Sequence, residues 1–127
     1  MAGTVGIVTK TETTFGSVKK IVFAWTSGDG DYAGAASGTT VNAYDGQIIG
    51  LTTIPGGTTY APTDNYGITL KDSEGHDVLL GAGLLRDTAT TEHVTVTSMA
   101  GVAGSTLTFA VASAGDLNTG VAIVYIR

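Results

Sequence analysis

Few residues in this chain could do chemistry. Asp29-Gly30-Asp31 could place two carboxylates on a Ca2+ ion, and Asp72-Ser73-Glu74-Gly75-His76-Asp77 has the outward form of a calcium loop. The second fails on spacing, because an EF-hand loop opening at Asp72 needs a glutamate where Gly83 stands. Asp and Gly also suit tight turns, which is the competing reading of both clusters. His76 and His93 stand alone, the first in an expected turn and the second in an expected strand, so neither belongs to a pair at ligand spacing. Gly34-Ala35-Ala36-Ser37-Gly38 misses the nucleophile elbow by placing its serine one position late. The chain has no phosphate-cradling GxxxxGK[ST] loop, no HExxH and no cysteine. Asp29 and Asp31 are thus the metal candidates, and no catalytic group or cofactor is expected.

Any such residues would have to be held by strands. Of 127 residues, 22 are Thr, 12 Val and 8 Ile, so a third of the chain is β-branched and suits a pleated sheet. Strand signals recur at short intervals punctuated by Gly, Pro, Asn and Asp, with no long helical pattern. The expectation is an all-β single domain, an antiparallel β-sandwich or barrel of about 8–9 short strands.

Residues 1–16 read as an N-terminal arm or edge strand, and 17–127 as the β-sandwich domain. Val18–Thr26 alternates Ile21, Phe23 and Trp25 against Val22 and Ala24, the pattern of a strand inside a sheet. The glycine-rich Ser27–Gly38 reads as a long loop. Thr40–Tyr44 and Gln47–Ile54 flank Asp45-Gly46, which favours a type I′ hairpin. Asn65–Asp72 and Asp77–Leu80 form a second expected hairpin around Ser73-Glu74-Gly75. Gly81–Thr91 is mixed in character, with room for one helical turn or a crossover. Strands are expected at Glu92–Ser98, Thr106–Ala112 and Val121–Arg127, the last with Val121, Ile123 and Tyr125 on one face.

Charge sets the class of partner. Charged residues are 13% of the chain against roughly 25% in an average globular protein, and the net charge is −5. The only adjacent basic pair is Lys19-Lys20, too little for phosphate contacts, so nucleic acid is not an expected partner. The longest apolar run, Val121–Ile126, is far short of the roughly 20 residues that span a bilayer, and no signal peptide is read at the start. No membrane partner is expected either. A weakly charged surface of this kind suits protein contact, where charge is depleted at the interface core; a monomer solvated by threonine hydroxyls would have the same composition.

The run Lys20-Ile21-Val22-Phe23-Ala24-Trp25-Thr26-Ser27, the segment Ala61-Pro62-Thr63-Asp64-Asn65-Tyr66 leading into Ile68-Thr69-Leu70, and Asp72–Leu79 resemble small structural proteins of tailed bacteriophages. The ending, Leu107–Val111 followed by Ala114-Gly115-Asp116 and Val124–Arg127, is similar to their closing hairpin. The resemblance covers most of 20–127 and rests on strand and turn patterns; residues 1–16 and 28–38 lie outside it. It implies a non-enzymatic β-sandwich virion protein, a capsid decoration (cement) protein on the outer surface of the head. The major capsid protein or another virion protein would be its partner. Homo-oligomers, a trimer among them, and assembly in the bacterial host cytoplasm are implied with it. A tail or neck component of the virion is one alternative, and a host-surface or glycan-binding module is the other. On this reading the arm and the 28–38 loop make the contacts. Val5, Ile7, Val8, Phe23, Trp25 and Tyr32 are then the interaction residues, with Phe23 and Trp25 as anchors, and deleting residues 1–14 is expected to weaken binding without unfolding the domain.

Overall fold

Alternation of apolar and polar side chains builds two antiparallel sheets, seen in a computed structural model that describes residues 3–57, 59–95 and 101–127. Nine strands follow in chain order: β1 (Ile7–Phe15), β2 (Val18–Thr26), β3 (Ala36–Thr39), β4 (Tyr44–Pro55), β5 (Gly67–Lys71), β6 (Glu92–Thr95), β7 (Gly101–Ser105), β8 (Thr108–Ala112) and β9 (Thr119–Ile126). The larger sheet has the order β1-β2-β9-β4-β6, with β7 also paired to β4; the smaller has the order β3-β8-β5. No α-helix occurs among the described residues. The all-β sandwich expected from composition is the fold observed.

The core lies between the sheets. Ile21, Phe23 and Trp25 of β2, Leu51 of β4 and Ala122, Val124 and Ile126 of β9 face Ile68 and Leu70 of β5 and Phe109 and Val111 of β8. Phe23 and Phe109 stack across the two layers, ring centroids 4.5 Å apart and 9° from parallel. Such a pair adds about 1 kcal/mol beyond the area it buries. In β9 the smaller residues Gly120 and Ala122 point inward, while Val121, Ile123 and Tyr125 take the outer side and are half-buried.

Three sequence expectations need correction. Asp45-Gly46 is no hairpin turn: β4 runs through it, with a register irregularity between Tyr44 and Gly46 against β7. Gly46 has φ of +130°, so the conformation that suits a turn here serves a bulge instead. Asp77–Leu80 makes a single bridge, Lys71 to Asp77, and then turns. The Asp77 carboxylate accepts backbone N–H groups from Leu70, Leu79 and Gly81, which curls the chain before a strand can form. Gly101–Ser105 is a strand that its small side chains conceal, whereas the Ser27–Gly38 loop contains a 3-10 turn at Gly30–Tyr32 and ends inside β3. Of the strand expected at Glu92–Ser98, residues 96–98 lie outside the described residues.

Candidate functional site

The N-terminal segment and the 28–38 loop, the two stretches without a resemblance, lie against each other. Asp29 accepts the Thr4 N–H at 2.6 Å through its carboxylate, and its own N–H donates to the Thr4 carbonyl at 3.0 Å. The Asp29 carboxylate is therefore already engaged in anchoring the chain start. Asp31 lies in the 3-10 turn, and no group of three or more His, Asp or Glu side chains is placed to hold a metal among the described residues. Val5 and Tyr32 come together in a shallow groove over Ala36 and Val111, and both are exposed.

Of the two readings of residues 1–16, from Ile7 onward the segment is the edge strand and not an arm. It pairs with β2 over nine consecutive residues, from Ile7 opposite Thr26 to Phe15 opposite Val18, and forms the edge of the larger sheet. Val8 packs on the core and Ile7 points to solvent. Deletion of residues 1–14 would strip this strand, so it would test the fold as much as any contact.

Phe23 and Trp25 cannot serve as contact anchors, because both are core residues, 0% and 2% exposed. Trp25 lies opposite Gly120 of β9, where an added Cβ would come within 2.4 Å of the indole ring. Only glycine lets the indole lie flat there. The ring packs at 51° on Tyr66, centroids 5.6 Å apart. Trp25 Nε1, Tyr66 OH and Thr53 Oγ1 are buried without a well-formed hydrogen bond among the described residues, the Thr53 side chain lying close enough to Tyr66 to act weakly on its hydroxyl. Burial also pushes the Tyr66 hydroxyl above the usual tyrosine range.

Glu12 is the residue sequence reasoning passed over. It points inward from β1, where its carboxylate accepts the Val41 N–H at 2.9 Å, the Asn42 N–H at 3.1 Å and the Tyr44 hydroxyl at 2.6 Å. Burial works against its charge, but these donors outweigh burial and hold the carboxyl below its ordinary value. Tyr44, 5% exposed, is pushed well above the tyrosine range by burial and by the carboxylate it donates to. The partners lie about thirty residues downstream, with no local signal to announce them.

The same use recurs around the molecule. Of 11 acidic residues, eight (Glu12, Asp29, Asp45, Asp64, Asp72, Asp77, Asp87 and Glu92) accept hydrogen bonds from backbone N–H groups. Asp87 is held below the usual carboxylate range by the Ala89 N–H and by the Thr90 hydroxyl and N–H. The second acidic cluster behaves likewise, since Asp72 caps its own turn by accepting from Glu74 and His76. His76 is exposed in that turn, and His93 Nδ1 sits 2.9 Å from the Thr52 hydroxyl across β4 and β6. The carboxylates thus act mainly as turn and loop fasteners.

The outer side of the larger sheet is a wide face, exposed at Thr9, Thr11, Thr13, Ala24 and His93, half-buried along β9 and buried at Thr52. Strand register places Thr9, Ala24, Val121 and Ile54 in one row across β1, β2, β9 and β4. Thr11, Val22, Ile123, Thr52 and His93 form the next, and Thr13, Lys20, Tyr125 and Gly50 the one after. Lys20 is the one charged side chain in these rows, beside apolar and hydroxyl groups. A shallow groove crosses the far end of the face, from Ile7 and Thr9 to Ile54 and Pro55. No family model matches this chain, and no curated protein or solved structure shows significant similarity to it.

Proposed function

We propose that the protein is a non-enzymatic structural protein of a tailed-phage virion, a capsid decoration protein that binds the outer surface of the head and stabilises it. The observation that carries this reading is the outer face of the larger sheet: three rows across four strands with Lys20 as the sole charge. Protein interfaces are depleted of charge at their centre, so a face of this kind suits contact with another protein. The assignment of most carboxylates to backbone fastening supports a structural rather than a catalytic role. A decoration protein acts by linkage, since it stabilises the assembled shell by binding it more tightly than free subunits, and it needs no reacting group for that.

The test is co-sedimentation with shells assembled from the major capsid protein of the same genome, alongside unassembled subunits. Saturable binding to shells, with little to free subunits, is expected. Ala24→Glu puts a charge on the face, at an exposed position of its first row, and is expected to abolish shell binding while leaving the melting temperature nearly unchanged. No binding to shells, or binding indifferent to Ala24→Glu, contradicts the reading.

A further inference from the structure

The exposed edge of β1 carries a self-complementary pattern, and we propose that it is the pairing surface for a second copy of this chain, joined as an antiparallel strand with Thr11 opposite Thr11 of the second copy. Nine residues long and without proline, β1 pairs with β2 in unbroken register. No backbone group of β1 bonds to any other segment among the described residues. Natural edges are usually short, bulged, proline-bearing or covered, because unpaired N–H and C=O groups template a further strand.

The side chains fix the partner and the register. Antiparallel neighbours directly opposite each other point to the same side of the sheet. With Thr11 on the two-fold axis, Ile7 meets Phe15 of the second copy, twice, on the outer face. These two are 62% and 60% exposed, at the two ends of the strand. On the inner face Lys10 meets Glu12 of the second copy, also twice. Neither Lys10 nor Glu12 has an ionic partner within its own chain among the described residues. Sliding by two residues one way places Lys10 opposite Lys10; sliding the other way places Glu12 opposite Glu12. Like charges directly opposite are destabilising, so the strand selects one register. The proposal does not depend on the virion reading, because an isolated copy in solution carries the same edge.

The chain lacks cysteine, which makes crosslinking a direct test. Opposed Cα atoms in an antiparallel pair lie about 4.5–5.5 Å apart, within disulfide reach. Oxidised Thr11→Cys is expected to form a covalent dimer. Thr9→Cys and Thr13→Cys are each expected to stay uncrosslinked alone, their like positions being about 13 Å apart, and to link when mixed. Sedimentation of the unmodified protein is expected to show a dimer, and Lys10→Glu is expected to weaken it by about tenfold. A monomer at all concentrations up to about 1 mM overturns the proposal. So does an oligomer in which Thr9→Cys alone crosslinks as readily as Thr11→Cys.

Discussion

Two edge strands of the sandwich, β5 of the smaller sheet and β1 of the larger, are treated in opposite ways. At β5 the chain folds back over its own edge: Val78 donates to the Leu70 carbonyl at 2.8 Å, Ile68 to Gly83 at 2.8 Å, and Arg86 to Tyr66 at 2.9 Å. Asp77 fastens that cover through three backbone N–H groups. At β1 no backbone group among the described residues pairs with the outer edge, although β3 packs beside the strand at Val8 and Lys10, and the inward carboxylate, Glu12, fastens the connection between β3 and β4. The chain thus closes one side with its loops and leaves the other side, continuous with the weakly charged outer face, available for contact.

The sharpest way to break the contrast is to remove each edge's structure. Deletion of residues 1–14 is expected to unfold the domain or lower its midpoint severely, because it uncovers β2 and releases Tyr44; a truncated protein that melts like the full chain would restore the arm reading. Asp77→Ala comes next. It leaves three backbone donors without their acceptor, for an expected loss of about 3 kcal/mol, measured by urea denaturation. If the two edges are fastened as described, Tyr44→Phe costs about 1.5 kcal/mol through the lost bond to Glu12. Tyr66→Phe, in contrast, changes stability by less than about 0.5 kcal/mol, since among the described residues its hydroxyl has no well-formed hydrogen bond to lose, only the nearby Thr53 side chain.

Acid sharpens the same comparison. Glu12 titrates below its ordinary value of 4.5 in the folded chain, so the stability it contributes is complete above that value. That contribution disappears as pH falls through the lowered folded value. Glu12→Gln should therefore flatten the acid limb of a stability profile below about pH 4.5, with the remaining slope left to Asp87 and the other carboxylates. The smallest effect belongs to the open edge itself: Thr9→Ser and Thr13→Ser, at exposed positions, should shift stability by less than about 0.5 kcal/mol.

Much of the fold was legible where alternation was strong. Val18–Thr26 is β2 to the residue, and Leu107, Phe109 and Val111 are buried together as their spacing implies. Legibility failed where one residue type serves two geometries. Asp45-Gly46 fits a hairpin turn and a bulge equally well, and only the pairing with β7 decides. Asp77 fits the start of a strand by pattern, but a short carboxylate captures three nearby N–H groups and turns the chain. Phe23 and Trp25 carried no mark that separates a core aromatic from a contact anchor. The choice depends on what stacks above them, here Phe109 and Tyr66. Glu12 was invisible for a related reason, since its donors come from a loop that only the folded sandwich brings beneath β1.

A cryo-EM reconstruction of heads incubated with the purified protein bears most directly on the function proposed. Sandwich-shaped density is expected on the shell exterior, with the outer face of the β1-β2-β9-β4 sheet turned against the capsid. Density confined to the neck or tail, or bound through the three-stranded sheet with that outer face in solvent, would contradict it.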